Sequence, residues 1–225
     1  MKLIYVRHAE PTYNPDALTE LGKKQASLLA KRLEDVHIDK IYCSSHNRAL
    51  ETASTVATNH NLEIIKLDWA REDKTMDDFG LSIDGHWSWC FYFKEIMDMF
   101  NRSDVIALGS KWYNHELFKD YNFKRGVLRI NKETDNFFKD LGFIHDRANK
   151  CFYKEKENDD IILFVAHGGF GMAFLSSILD IPYNIFAKRG QVDLCSITEI
   201  DFSGDENIVK PIIVNYSDTT HLENI

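Results

Sequence analysis

The sequence predicts an α/β fold, a three-layer α/β/α sandwich whose central sheet is mostly parallel and which carries a helical insertion. Two observations lead to this prediction. At both ends of the 225-residue chain, apolar runs of strand length alternate with segments of helical periodicity. Between these ends, residues 71–150 are rich in aromatic side chains and are patterned mainly as helices. We expect a single domain over residues 1–225, with 71–150 as a helical cap or specificity insertion.

Each element follows from a local pattern. The first strand, at 2–6, is a short apolar run, and Pro11 and Pro15 mark the loop after it. Thr19 is a residue type preferred at helix N-caps, and the apolar residues after it recur at helical spacing as far as Asp35. In chain order, the other predicted elements are a strand at 40–43, a helix at 47–59, strands at 62–67 and 161–166, a helix at 170–179, and strands at 194–202 and 211–214.

The composition limits the class of protein. A net charge of −8 argues against general binding to nucleic acid or to anionic membranes. The chain has no apolar run of the roughly 18 residues that span a bilayer, and no secretory leader pattern. Its four cysteines are scattered and form no CxxC pair, so they give no zinc signature and favour a reducing compartment. We therefore expect a cytoplasmic protein without a membrane partner.

The residues at two strand ends point to phosphoryl chemistry. Arg7 and His8 end the first apolar run, and His167 ends the run at 161–166. The carboxyl ends of strands are where α/β sheets bind ligands. A neutral imidazole can attack phosphorus, while arginine and imidazolium hold the charge of the phosphate oxygens.

A third strand end carries compatible groups. Arg48 follows the strand at 40–43 across a short turn, and Ser44 and Ser45 precede the helix that contains it. Backbone N–H groups at a helix start favour anions. Asn14, in the loop after the first strand, offers a further side-chain donor to the same oxyanion.

Four motifs of this sequence occur in the same order as in a known protein family. They are Arg7-His8-Ala9-Glu10 with Asn14, Leu18-Thr19-Glu20-Leu21-Gly22-Lys23-Lys24-Gln25-Ala26, Ser44-Ser45-His46-Asn47-Arg48-Ala49-Leu50-Glu51-Thr52-Ala53, and Val165-Ala166-His167-Gly168-Gly169. The chain resembles the first branch of the histidine phosphatase superfamily, the phosphoglycerate mutase-like group. The likeness covers roughly the first 70 residues and the part from about 160 onward. Ala9 and Pro11 depart from the family pattern, which has glycine and a threonine or serine there.

The resemblance implies a mechanism and roles for the residues. His8 attacks phosphorus and becomes a transient phosphohistidine, and His167 is the second catalytic histidine. Arg7, Arg48 and Asn14 bind the phosphate oxygens. Gly168, in the second histidine motif, belongs to the same phosphate-binding set. The scheme requires no metal and no cofactor.

The resemblance also places a glutamate general acid after the third strand. Glu72 fits this position best. The neighbouring carboxylates Asp73, Asp77 and Asp78 remain alternatives. A leaving alkoxide needs a proton, so one of them is expected in the site.

The function that follows is hydrolysis of a small phosphorylated metabolite through phosphohistidine, without metal. Two alternatives remain, a phosphoglycerate mutase-type phosphomutase and a catalytically silent phospho-ligand-binding module. The substrate and the oligomeric state are not readable from the sequence. The aromatic residues of 71–150, Trp87 and Trp112 among them, are expected to form an apolar wall around the leaving group.

Overall fold

The fold is described from a computed structural model over residues 1–204 and 207–223. Its strands are β1 (Lys2–Arg7), β2 (Pro11–Tyr13), β3 (Asp16–Leu18), β4 (Lys40–Ser44), β5 (Ile64–Leu67), β6 (Gly80–Ile83), β7 (His86–Trp89), β8 (Phe143–Asp146), β9 (Cys151–Lys154), β10 (Ile161–Ala166), β11 (Ile197–Asp201), β12 (Ile208–Val209) and β13 (Ile212–Asp218). Its α-helices are α1 (Glu20–Arg32), α2 (Asn47–His60), α3 (Glu72–Phe79), α4 (Lys94–Phe100), α5 (Ser103–Ile106), α6 (Phe123–Asp140), α7 (Gly168–Ile178) and α8 (Tyr183–Phe186).

The central sheet has six strands in the order β13-β11-β1-β10-β4-β5. The pairs β1–β10, β10–β4 and β4–β5 are parallel, whereas β11 and β13 are added antiparallel at one edge. In the β1–β10 pairing, Arg7 lies opposite Ala166. The residues that follow these two strands, His8 and His167, therefore emerge side by side at one edge of the sheet.

Alternation along β1 produces the three layers. Leu3 and Tyr5 belong to the larger apolar core on one face of the sheet, whereas Ile4 and Val6 belong to the smaller core on the other face. Successive side chains of a strand point to opposite faces, so an unbroken apolar run requires cover on both sides. Helices supply that cover, and the predicted α/β class with a mostly parallel sheet is confirmed.

Helix ends agree with the capping signals in the sequence. The Thr19 side chain caps α1 by accepting a hydrogen bond from the Gly22 N–H at 3.0 Å. Helix α7 differs, since it begins at Gly168, two residues before the predicted start, and its N-cap residue His167 makes no side-chain capping hydrogen bond. None of the helices in the described ranges is long and apolar enough to cross a membrane.

The stretch at 71–150 contains α3 to α6 but also strands that the helical pattern did not predict. Strands β6 and β7 form a hairpin whose turn is Asp84-Gly85, with φ of 50° and 80°. Two adjacent residues with positive φ make the tight turn that matches the twist of a hairpin. Strand β8 pairs with β9, which pairs with β12 in a separate three-stranded sheet. Whether 71–150 acts as a specificity insertion stays a prediction.

Candidate active site

Two histidine rings lie together at the carboxyl edge of the parallel strands. His8 follows β1 and His167 follows β10, and their ring centroids are 5.1 Å apart. Both side chains are almost fully buried. The two histidines, both expected at strand ends, therefore lie together because β1 and β10 are parallel neighbours.

The His8 ring is held as a neutral imidazole whose Nε2 carries no hydrogen. Its Nδ1 lies 2.7 Å from the Ala9 carbonyl oxygen, which can only accept, so Nδ1 carries the hydrogen. The lone pair of Nε2 is then available, and the Arg48 Nε–H donates to it at 3.4 Å. Burial, together with the charges of Arg48 and Arg7, lowers the pKa of His8 to about 3. Ala9 does not have a positive φ, so the alanine in place of the family's glycine is accommodated.

His167 is held by three hydrogen bonds to two hydroxyl groups, and one of its ring nitrogens has no partner among the described residues. Its carbonyl accepts a hydrogen bond from the Tyr5 hydroxyl at 2.6 Å, and its N–H donates to the same oxygen at 3.2 Å. The ring Nε2 is 2.7 Å from the Ser44 hydroxyl oxygen. The ring Nδ1 is buried and has no hydrogen-bond partner among the described residues. Burial, reinforced by His8 and Arg48, holds the pKa of His167 well below its usual range.

Arg7 lies along the wall of the cleft with part of its guanidinium uncommitted. One terminal nitrogen donates to the Val192 carbonyl at 2.7 Å. Its Nε is buried and lacks a partner within the part of the chain that the structure describes. A Cβ on Gly168 would lie 3.1 Å from the guanidinium, so glycine lets the arginine rest against the backbone. Gly168 itself lines the cleft.

Arg48 is buried and is oriented by a carboxylate that the sequence did not single out. Its NH1 donates to Asp16 at 2.7 Å, and the other Asp16 oxygen accepts the Asn47 N–H at 2.8 Å. Burial opposes ionisation of Asp16, but the hydrogen bond and charge of Arg48 hold its pKa below the usual range. The Tyr13 ring lies 5.4 Å from the guanidinium carbon and forms one side of the cleft mouth.

Glu72 lines the same cleft at the start of α3. Its two carboxyl oxygens accept hydrogen bonds from the N–H groups of Gly169 at 3.1 Å and Phe170 at 3.0 Å, in the first turn of α7. Burial raises the pKa of Glu72, although these two hydrogen bonds favour the ionised form. A protonated carboxyl oxygen still accepts an N–H, so the arrangement holds either protonation state in place.

Asp73, the nearest alternative to Glu72, is engaged outside the cleft. It accepts a hydrogen bond from Arg71 at 2.6 Å, and this arginine keeps the pKa of Asp73 far below its usual range. Its carboxylate also lies 3.4 Å from the His46 ring, whose centroid is 5.0 Å from that of His167. A carboxylate that holds its proton so weakly is a poor proton donor at neutral pH.

The other two alternatives also lie away from the cleft lining. Asp77 is exposed, and Asp78 is buried in ion pairs of 2.7 Å with Arg125 and with Arg129. Of the four candidate acids, Glu72 alone lines the cleft. Within residues 1–204 and 207–223, no group of three or more His, Cys, Asp or Glu side chains is arranged to hold a metal ion.

Some residues singled out from the sequence do not reach the cleft. Asn14 is exposed in the turn between β2 and β3, before the cis peptide bond to Pro15, and its role in phosphate binding stays a prediction. Trp112 is buried in the larger core, and Trp87 is exposed without lining the cleft. The aromatic side chains that do line the cleft from the 71–150 stretch are Trp89, Phe91 and Tyr92.

Four groups position the site in ways that the sequence did not predict, although Ser44 was expected near the anion. Tyr5 and Ser44 hold His167, Asp16 holds Arg48, and the Val192 carbonyl holds Arg7. Tyr5 offered a local signal, a polar-tipped residue inside an otherwise apolar strand. Val192 offered none, since any residue supplies a carbonyl.

Comparison with a family profile decides the classification. The profile of the histidine phosphatase superfamily, branch 1, matches residues 3–83 and 141–214. The chain belongs to this family. The matched segments contain both histidines, both arginines and Glu72, whereas residues 84–140 fall outside the match.

Individual relatives are similar over different extents. Phosphoserine phosphatase 1 of Hydrogenobacter thermophilus is 47% identical over 77 residues, which cover 30% of this chain and 36% of that protein. The phosphoserine phosphatase of Entamoeba histolytica, solved with 3-phosphoglyceric acid, superposes with a TM-score of 0.63 at 20% identity over 98% of both chains. A mycobacterial glucosyl-3-phosphoglycerate phosphatase superposes with a TM-score of 0.60 at 18% identity over 97% of this chain and 99% of that one. At these identities the two structures establish the fold alone.

Proposed function

We propose that this protein is a phosphomonoester hydrolase that acts on a small phosphorylated metabolite through a phosphohistidine on His8. The observation that carries the proposal is a neutral His8, whose unprotonated Nε2 faces the Arg48 Nε–H at 3.4 Å, beside two arginines and a second buried imidazole. Two further nitrogens, Nε of Arg7 and Nδ1 of His167, are buried without partners in the described chain. Buried polar atoms are normally hydrogen-bonded, and phosphate oxygens would satisfy both.

In the first step, Nε2 of His8 forms a bond to phosphorus while the bond from phosphorus to the ester oxygen breaks. Arg7, Arg48 and His167 hold the charge of the three oxygens that stay on phosphorus. Glu72 gives its proton to the departing oxygen, which leaves as an alcohol. Burial raises the pKa of Glu72, which favours the protonated form that this step requires.

In the second step, water attacks the phosphohistidine. The Glu72 carboxylate takes a proton from the water as the new oxygen–phosphorus bond forms and the nitrogen–phosphorus bond breaks. His8 returns to its neutral form, and inorganic phosphate leaves. No metal takes part in either step, so the proposal predicts turnover in the presence of a chelator.

The relatives support a small substrate of metabolic type. Two of them are named as phosphoserine phosphatases and a third as a glucosyl-3-phosphoglycerate phosphatase. The cleft of this chain has a volume of about 460 Å³, within the range of small-molecule sites. Four buried free thiols agree with a reducing, cytoplasmic setting. With a net charge of −8, we expect no nucleic-acid partner.

The test is hydrolysis of p-nitrophenyl phosphate in EDTA by the wild type, by His8→Ala and by His37→Ala. His37 is an exposed histidine that pairs with Asp39 and does not line the cleft, and it serves as the matched control. We expect turnover in the wild type and the control and its loss in His8→Ala. Equal turnover in all three would exclude His8 as nucleophile.

A second assay separates hydrolysis from mutase activity and from silent binding. The protein is incubated with 3-phosphoglycerate, and free phosphate and 2-phosphoglycerate are both measured. Isomerisation without phosphate release would favour the mutase. Absence of turnover on every ester, with phosphate still bound, would favour the binding module.

A further inference from the structure

Besides the phosphate-binding residues, the cleft has an apolar part of its lining, called here the apolar wall. Six side chains form this wall: Met76, Trp89, Phe91, Tyr92, Met97 and Met172. Met172 is buried, whereas Tyr92 is 65% exposed at the mouth. Thioether and aromatic groups bind flat apolar surfaces well and offer few hydrogen bonds to a polar one.

The apolar wall begins next to Glu72, the proposed proton donor. The Trp89 ring lies against Gly169, where an added Cβ would be 2.2 Å from it. The N–H of the same glycine donates to Glu72. The Phe91 ring is parallel to Trp89, with centroids 5.9 Å apart and planes 4° apart, and extends the wall outward. Trp89 is therefore close to the oxygen that Glu72 would protonate.

The cleft is also lined by cationic side chains, and its described lining offers no free carboxylate to an ammonium group. Lys188 and Arg189 line it, close to the Val192 carbonyl that holds Arg7. Among the described residues that line the cleft, Glu72 is the one carboxylate, and it is occupied by α7. The ammonium of an amino-acid leaving group would find no free carboxylate among these lining residues, which makes its entry unfavourable.

We propose that the leaving group of the natural substrate is a flat, apolar alcohol that packs on Trp89 and Phe91. The inference rests on the proposed phosphatase function and names the substrate class of that same cleft. Lys188 and Arg189 then attract the phosphate dianion toward the cleft rather than bind the leaving group. The preferred esters differ from O-phosphoserine in carrying an aromatic body instead of charged groups.

The test compares three esters of primary alcohols, so that the bond broken is of one type. They are ethyl phosphate, 2-phenylethyl phosphate and O-phosphoserine. Dissociation constants are measured by calorimetry with His8→Ala, which cannot turn over, and kcat/KM is measured with the wild type. Burial of a phenyl ring should tighten binding of 2-phenylethyl phosphate about tenfold or more over ethyl phosphate. O-phosphoserine should bind no better than ethyl phosphate.

Trp89→Ala and Trp87→Ala then locate the effect, each introduced into the wild type and into His8→Ala. Trp87 is on the same strand, is 58% exposed and does not line the cleft, which makes it the matched control. In Trp89→Ala, the dissociation constants of 2-phenylethyl phosphate and ethyl phosphate should differ by no more than about threefold. Trp87→Ala should keep the difference of the parent protein. Phe91→Ala, farther from α7, provides a second test if loss of Trp89 unfolds the protein.

The outcomes separate the inference from the function on which it rests. Equal binding of the phenyl and ethyl esters, or tighter binding of O-phosphoserine, overturns the apolar leaving group while wild-type turnover still supports the phosphatase. A phenyl preference that Trp87→Ala removes and Trp89→Ala retains also overturns it. Preference in binding without turnover of any ester supports the apolar site and contradicts the phosphatase.

Discussion

Replacement of Glu72 by glutamine should slow the enzyme in a way that depends on the leaving group. Glutamine has nearly the shape of the side chain but cannot donate an acidic proton. Alkyl esters need that proton, so their kcat/KM should fall about 10²–10⁴-fold, which is roughly 3–5 kcal/mol of barrier. p-Nitrophenolate is stable without a proton, so the loss for p-nitrophenyl phosphate should be less than about tenfold.

The contacts of Glu72 also predict a stability cost for this substitution. The two carboxyl oxygens accept from the N–H groups of Gly169 and Phe170. The amide of glutamine presents one oxygen and one NH₂, so one buried N–H loses its acceptor, at a cost of about 1–3 kcal/mol. Thermal unfolding measures this cost, and kinetics are read well below the unfolding temperature.

The pH profile follows from the same residue. The pKa of Glu72 is raised, so its protonated form persists to higher pH than in an ordinary glutamate and activity on alkyl esters should fall as pH rises through it. His8, with a pKa of about 3, stays neutral over the whole range and adds no acidic limb above that pH. Asp73→Asn is the matched control. An equal loss for alkyl and aryl esters in Glu72→Gln, or a leaving-group dependence that appears in Asp73→Asn instead, would refute the assignment.

Two further predictions concern charges near and far from the cleft. Asp16→Asn removes a negative charge beside Arg48, so inhibition by inorganic phosphate should strengthen roughly twofold to tenfold, and a weaker inhibition would contradict the pairing. His145 lies 3.0 Å from Asp135 and 2.9 Å from Asp180, and although burial opposes its charge, these two hydrogen bonds raise its pKa. A histidine whose pKa is raised by folding stabilises the fold at pH values below its unfolded pKa of about 6.5, and this stabilisation is lost as pH rises through the folded pKa. The unfolding temperature should therefore fall more steeply from pH 6 to pH 8.5 in the wild type than in His145→Gln. Parallel curves for the two proteins would contradict this.

Much of the fold was predictable because its central strands are short apolar runs bounded by turns. The strand at 161–166 has the predicted bounds, and the helix after Thr19 begins at the predicted cap. The hairpin of β6 and β7 was missed, although Asp84-Gly85 is a tight-turn signal, because its strands lie in an aromatic stretch without clear alternation. In such a segment tertiary packing decides the conformation and local pattern does not.

The residues of the candidate site also fall into those that the sequence predicted and those that it did not. Residues carried by strand ends, such as His8 and His167, meet because parallel neighbours end at one edge of the sheet. Asn14 was placed by motif position, but the hairpin that contains it turns its tip to solvent. The Val192 carbonyl that holds Arg7 comes from 185 residues away in sequence, and no local signal marks such a contact.

The central claim is that His8 carries the phosphoryl group during turnover. Rapid mixing with substrate, followed by quenching under alkaline conditions and mass spectrometry of peptides, measures it directly. We expect one added phosphoryl group on the wild-type peptide that contains His8 and none on the corresponding peptide of His8→Ala. In Glu72→Gln with an aryl ester, the phosphorylated fraction should increase because Glu72 no longer activates the water that hydrolyses the intermediate. Steady turnover with no phosphoryl group on His8 at any quench time, or a phosphoryl group on another residue, would contradict it.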